Sequence, residues 1–371
     1  MMKEYILGDI MRTKDLGIAV VGSGKMGELR AHIAMCHPAV GFIGCSDPIG
    51  SRAAEVALKV GAQFHTSNNE ELISRPEVNA VIISSSEHAH VEPIIQAVEL
   101  GKPVLCEKPI GLSLEDADRV MEAIDRCKGD VRFGYSRRFK ERYLSAKEQI
   151  VQGRLGTIVG GHARAYNIRA QARKGAERSK GLTPVVYSLT YYIDLICWFL
   201  EGNPVIEVFA RGKSMNRKDG AGENVHDVTW AILTCADGAV MNAGICYALP
   251  EQYPSRGLST RVELIGTEGV MLLDGDNTDQ IMYTERGVPH VHLENQNAHM
   301  VFMGSPTPGQ WAVGDFWGPL ASETRAWLDY LSTGRPCAVA TAADARRNLE
   351  ISLAIERSEY SGERVRLPLE R

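Results

Sequence analysis

A strand buried on both faces reads as a near-continuous apolar run, and Leu16-Gly17-Ile18-Ala19-Val20-Val21 is such a run. It leads into Gly22-Ser23-Gly24-Lys25-Met26-Gly27, and Glu28 to Cys36 can continue as a helix. The glycines therefore fall on a strand-to-helix turn with the spacing G-x-G-x-x-G. Each has a physical reason. Gly22 can turn tightly, Gly24 has no Cβ to hold a phosphate away, and Gly27 lets helix and strand pack closely. The first helical N–H groups and the positive end of the helix dipole then face an anion. A second apolar run, Val40 to Cys45, ends at Asp47, where a ribose-binding carboxylate is expected. A glycine triplet alone is a weak signal, but here strand, helix and acid agree. They predict a dinucleotide site built from Gly22, Gly24, Lys25, Met26, Gly27 and Asp47. Asp47 favours NAD over NADP because a carboxylate repels a 2′-phosphate; Arg52, nearby in sequence, works against that preference.

At 371 residues the chain is long enough for two domains. A net charge of -5 leaves no footprint for nucleic acid and no basic membrane patch. No apolar run approaches a membrane span, and charged residues interrupt the N-terminal stretch, so neither membrane insertion nor a signal peptide is expected. The eight cysteines form no C-x-x-C pair and mostly sit in apolar runs. They read as small hydrophobes in a reducing compartment, which predicts a cytoplasmic protein. His88 with His90, and His290 with His292, could each share a strand face, but neither pair has a third ligand nearby, so no metal is expected.

The rest of the first part alternates strand and helix. Val78 to Ser84, Pro103 to Cys106 and Val131 to Tyr135 read as strands; Val91 to Leu100 and the segment after Ser113, with its S-x-x-D cap at Asp116, read as helices. This implies βαβ units and a parallel sheet. After about residue 140 the rhythm changes to longer alternating strands: 157–166, 206–212, 227–235 turned by Ala236-Asp237-Gly238 into 239–247, and 261–266 with 269–274. Val185 to Glu201 is an aromatic-rich helix, 298–314 a long loop suited to a lid or subunit contact, and 323–332 and 342–361 closing helices. The predicted class is α/β: an N-terminal Rossmann-type doubly wound parallel sheet over 15–140, after a tail of 1–14. An α+β domain with a large, mostly antiparallel open sheet follows over 141–371, its closing helices free to pack back on the first domain.

Glu107-Lys108-Pro109 stands at the carboxyl end of a strand in the parallel sheet, where ligands bind in doubly wound folds. A lysine there can polarise a hydroxyl being oxidised or stabilise an alkoxide during reduction. Here the sequence resembles the Gfo/Idh/MocA family, named for glucose–fructose oxidoreductase and inositol dehydrogenase. The resemblance covers nearly the whole chain. It rests on the three glycines and Asp47, on Gly101-Lys102-Pro103-Val104-Leu105-Cys106-Glu107-Lys108-Pro109, on Gly134-Tyr135-Ser136-Arg137-Arg138-Phe139, and on Asp194 with Trp198. It implies NAD(P)-dependent hydride transfer on sugars, cyclitols or related polyols, dimers or tetramers built through the C-terminal sheet, and Lys108 as a catalytic residue.

The chain departs from the family pattern twice. Many members carry D-x-G-x-H in the later helix; here Tyr187 stands for the aspartate and Tyr191 for the histidine. The resemblance keeps Tyr191 as the proton carrier, since some members place a tyrosine there. A phenol titrates at about 10, and a nearby ammonium such as Lys108 is expected to depress it. The family's T-P-N-x-x-H reads Ser85-Ser86-Glu87-His88-Ala89-His90, so Ser85, Glu87 and His90 are expected at the cofactor with Glu107, Lys108 and Arg137. Tyr166, Tyr187, Tyr191 and Asp194, with Lys108, are the expected substrate side; Arg137 and Arg164 are further candidates there, as is His162, for which a satisfied structural role is the preferred reading. Two rival readings keep the same fold: a redox-neutral glycosidase with tightly held NAD, and a nucleotide-binding regulator that has lost the His/Asp pair.

Overall fold

The computed structural model describes residues 15–171, 182–215, 226–255, 257–290, 293–304 and 307–370. The predicted N-terminal tail lies outside these. Chain order runs β1 (Leu16–Val21), α1 (Lys25–Met35), β2 (Val40–Ser46), α2 (Gly50–Val60), β3 (Phe64–Thr66), α3 (Asn69–Ser74), β4 (Ala80–Ile83), α4 (Val91–Glu99), β5 (Val104–Glu107), α5 (Leu114–Cys127) and β6 (Val131–Gly134). These strands form one parallel sheet ordered β6-β5-β4-β1-β2-β3. The order reverses between β1 and β4. Their carboxyl ends, Val21 and Ile83, therefore open a crevice where a ligand fits. Lys102 of the G-K-P run has a structural role: its ammonium donates to the carbonyls of Ile73 (2.5 Å) and Arg75 (3.1 Å), tying the approach to β5 against α3.

The second half carries α6 (Glu141–Val151), β7 (Ile158–Ile168), α7, β8 (Val205–Lys213), β9 (Val228–Cys235), β10 (Val240–Leu249), β11 (Leu258–Gly266) and β12 (Val270–Asp274). Helix α7 comprises a π turn, Val185–Leu189, continued by α-helix, Thr190–Phe199. The sheet is ordered β12-β11-β7-β10-β9-β8 and is antiparallel except for β7 beside β10. Its inner face packs α6 and α7 through Ala163, Ala165, Ala243, Ile245, Val262 and Leu264. Its outer face leaves Trp230, Ile232, Val240, Ile265, Val270 and Leu272 exposed.

One element was not anticipated and one expectation needs correction. Strand β3 escapes sequence reading because three residues at a sheet edge, with Phe64 and Thr66 half-buried and His65 exposed, are too short to carry a periodic signal. The segment 298–314 is not one loop. It contains β14 (Asn297–Phe302), which pairs with β13 (Ile281–Pro289), and β15 (Gln310–Ala312), which pairs with β16 (Asp315–Trp317). Ser305 and Pro306 lie outside the described residues. The chain then returns to the first sheet. Helix α8 (Pro319–Thr333) places Trp327 and Leu328 in the core of the parallel sheet, β17 (Ala340–Thr341) adds antiparallel to β6, and α9 (Ala342–Ser361) and β18 (Val365–Arg366) bridge to the second sheet. The parallel strands of the first sheet thus all precede residue 140, while the chain from 319 onward serves both sheets.

Candidate active site

The glycine turn has the geometry its residues predict. Gly22 sits at φ +93°, and a Cβ there would meet the backbone of Ser84 and Ser85 at 2.5–2.7 Å. A Cβ at Gly27 would lie 1.8 Å from the Gly22 carbonyl oxygen. At Gly24, by contrast, a Cβ would meet nothing within 4 Å. Gly24 is also the N-cap of α1 and supplies no side-chain cap, so the first N–H groups of that helix are left for an anion. Asp47 is buried beside the turn. Its carboxylate accepts from the Ser23 N–H (3.0 Å) and the Ile49 N–H (2.9 Å), which fixes it at the mouth of the crevice. Open space over Gly24, uncapped helical N–H groups and a fixed acid fit a dinucleotide.

Lys108 stands at the carboxyl end of β5 with 6% of its surface exposed. Its ammonium donates to the Tyr187 carbonyl at 2.7 Å, inside the π turn of α7. It also lies 4.4 Å from the Tyr187 ring centre and 4.8 Å from that of Tyr191. Wide π turns of this kind are frequent at functional positions. The Arg137 guanidinium covers Tyr191 at 4.6 Å, and Tyr135 meets it edge-on at 6.1 Å. Lys108, Arg137, Tyr187 and Tyr191, drawn from β5, the turn after β6 and α7, therefore form one cluster.

The expected depression of the Tyr191 phenol is not found. Burial, followed by the Glu107 charge, holds its pKa well above the ordinary phenol value, and Arg137 offsets this only in part. The Lys108 ammonium stands over the two tyrosine rings.

The NAD-binding Rossmann model of the Gfo/Idh/MocA oxidoreductases matches residues 16–135, and their C-terminal domain model matches 143–272. The chain belongs to this family. It is similar to an inositol 2-dehydrogenase of Rubrobacter xylanophilus (29% identical over 264 residues, 69% of this chain and 70% of that one). It is also similar to an NAD(+)-dependent scyllo-inositol 2-dehydrogenase of Bacillus subtilis (28% over 267 residues, 69% and 72%). The solved scyllo-inositol dehydrogenase of Lactobacillus casei, with NAD(H) and scyllo-inositol bound, superposes with TM-score 0.75 at 21% identity, covering 95% and 98% of the chains. This Gfo/Idh/MocA protein is therefore an oxidoreductase, and its cofactor is NAD.

Several expected site residues of this family member serve the scaffold instead. Asp194 is fully buried: Arg138 donates to both its oxygens (2.8 and 2.6 Å) and Asn348 to one (2.8 Å), so its carboxylate is engaged within the scaffold. Tyr166 lies on the opposite face of β7 from the helices, edge-on to Trp230 and covered by Arg164; His162 shares that face and pairs with Glu263. Strand alternation puts Asn167, not Tyr166, on the inner face with Ala163 and Ala165. His90 is fully buried, with Nδ1 2.8 Å from the Pro109 carbonyl and Nε2 3.1 Å from that of Ser85. It clamps the chain after β5 to the turn after β4 and has no surface to offer a cofactor. Glu87 is buried in the short turn behind Ser86, and Ser85 turns its hydroxyl to the Ala89 carbonyl. Arg52 is exposed on α2, whereas Asp47 is held at the turn, an arrangement that suits a free 2′-hydroxyl.

Glu107 is engaged by a residue sequence reading missed. Arg30, fully buried on α1, meets Glu107 at 2.6 Å and Glu323 of α8 at 2.7 Å, and donates to Thr324 at 2.8 Å. Gly134 makes room for this: a Cβ there would lie 2.7 Å from the Arg30 guanidinium. Asn167 was missed as well. Its side chain is buried, and neither amide atom has a hydrogen-bond partner. An apolar–polar–apolar strand pattern gave no reason to choose it over Tyr166. Among the described residues, His32, Cys36 and Asp315 bring possible metal-ligand atoms within 4.8 Å of one another, but Asp315 is already paired with Arg325 at 2.6 Å.

Proposed function

We infer that this protein is an NAD-dependent dehydrogenase that oxidises a secondary hydroxyl of a cyclitol or sugar. The observation that carries this reading is the Lys108 ammonium. It is fixed between the Tyr187 carbonyl and two tyrosine rings, at the sheet edge that also holds the glycine turn. Gly22 to Gly27 and Asp47 would hold the cofactor's pyrophosphate and adenosine ribose. Bound NAD supplies the hydride acceptor, C4 of its nicotinamide ring. Lys108 hydrogen-bonds the reacting oxygen and stabilises negative charge developing on it. Tyr191 keeps its proton at neutral pH, because burial holds the phenol neutral. It therefore gives its proton to the reacting oxygen when the ketone is reduced; in the oxidising direction the hydroxyl proton passes to the Tyr191 oxygen, which must first have released its own proton to solvent. Asn167, with donor and acceptor both unpartnered, suits a pair of neighbouring hydroxyls on a polyol. The relatives that act on inositols support this substrate class.

The apolar outer face of the second sheet supports self-association into a homodimer or homotetramer. Eight unpaired cysteines support a reducing, cytoplasmic setting, and no helix among the described residues is long and apolar enough to cross a membrane. Initial rates with NAD and NADP across a panel of inositols, sugars and sugar acids test the reading. NADH formation with at least one polyol, lost in K108M, is the expected result. Redox-neutral cleavage of an aryl glycoside, or no turnover despite tight NAD binding, would reject it.

A further inference from the structure

The Arg30 cluster lies directly behind the reacting groups. One guanidinium serves two carboxylates in a site closed to water: Glu107, the residue before Lys108, and Glu323. Thr324 takes a further donor of the guanidinium, and Thr324 itself donates to the Leu320 carbonyl. Glu323 is completely buried, and only one of its oxygens is used; Oε1 has no partner. Arg30 balances one carboxylate. When both acids are ionised, the cluster carries one uncompensated negative charge in a low-dielectric interior. The charged groups around Glu323 are Arg30 from α1, Glu107 from β5 and Asp194 from α7, the last already paired with Arg138. The field reaches Tyr191, whose proton is held more tightly by both Glu107 and Glu323.

We propose that Glu323 is a positioning residue of the reaction: by gaining or losing its proton it switches the charge behind Glu107, Lys108 and Tyr191, through Arg30, while touching neither substrate nor cofactor. Burial pushes its carboxyl up to about 7, so the switch falls at neutral pH. Below that point the cluster is neutral. Above it, the added charge strengthens the hold of Tyr191 on its proton and competes with Glu107 for Arg30.

The proposal rests on the dehydrogenase reading for its catalytic consequence, so the test has two arms. In the first, tyrosine labelled with carbon-13 at Cζ is followed by NMR from about pH 5.5 to pH 9, with Tyr191 assigned through Y191F. The Tyr191 resonance should show an inflection near neutrality that is absent in E323Q; the glutamine keeps an oxygen for Arg30 but cannot titrate. In the second arm, kcat against pH for wild type should change by about threefold or more across the same transition, while E323Q stays flat and binds NAD as wild type does. If E323Q does not fold, E323D replaces it, and its transition should move while the Tyr191 inflection moves with it. An identical Tyr191 curve in wild type and variant overturns the proposal, as do superimposable kcat profiles. Absence of polyol turnover in wild type while Tyr191 still follows Glu323 would reject the dehydrogenase reading and leave the electrostatic link standing.

Discussion

Lys108 has its reach set by three neighbours, the Tyr187 carbonyl and the two tyrosine rings. Replacing it by methionine keeps the length and apolar stem but removes the charge. Turnover should fall by about 10²–10⁴-fold, with NAD affinity measured by fluorescence titration nearly unchanged. Y191F should lower kcat in the same range and leave KM close to wild type, because a neutral phenol contributes through its hydroxyl alone. A second buried acid makes a separate prediction about stability. Glu356, bonded by Thr183 on α9, has its carboxyl pushed up by burial from 4.5 to about 7. A folded-state pKa above the unfolded one means the native state binds the extra proton between those values. Stability should therefore fall as pH rises from about 4.5 to about 7. Urea midpoints of E356Q across that window should show a shallower fall than wild type.

At the scale of elements, the glycine turn separates folding from binding within six residues. G27A would drive a Cβ into the Gly22 carbonyl, and we expect destabilisation by more than about 3 kcal/mol in urea unfolding. G24A places its methyl in open space with an extended backbone, so the fold should hold while NAD affinity drops about tenfold or more. A similar contrast exists on β7. N167A should raise the polyol KM by about tenfold, whereas Y166F, on the outer face, should leave catalysis unaltered. The strands and helices around these positions were readable because each carries its signal in contiguous residues: the apolar runs of β1, β2 and β4, the Ser113 cap of α5 bonding the Asp116 N–H at 3.1 Å, and the span of α9. The face on which a given strand residue lies was not readable, since one position of register reverses it.

For the whole molecule, the outer face of the second sheet is the unresolved surface. Trp230, Ile232, Ile265, Val270 and Leu272 are too many exposed apolar side chains on one sheet to be scattered singletons. Placing lysine at Ile232 and Leu272 together should shift the sedimentation coefficient toward the monomer without unfolding the protein, as a charge cannot be buried unpaired in an interface core. The return of the chain from residue 319 also ties the two halves together: α8 packs on the first sheet, β17 adds an antiparallel strand to its edge, and α9 contributes to the core of the second.

What the sequence by itself determined is everything encoded by neighbours along the chain: the dinucleotide turn and its acid, the alternation that makes a parallel sheet, the lysine at a strand's carboxyl end, and the family they mark. What only the tertiary structure decided are the pairings between distant residues. Arg30 and Glu323 are 293 positions apart, Asp194 is claimed by Arg138 and Asn348, and strand parity puts Asn167 rather than Tyr166 on the inner face of β7. The Tyr191 proton belongs with them, because the sequence places an ammonium nearby but only folding sets the burial that outweighs it. A buried charge takes its energy from the partners and the water that folding gives or removes, and neither is written in local sequence.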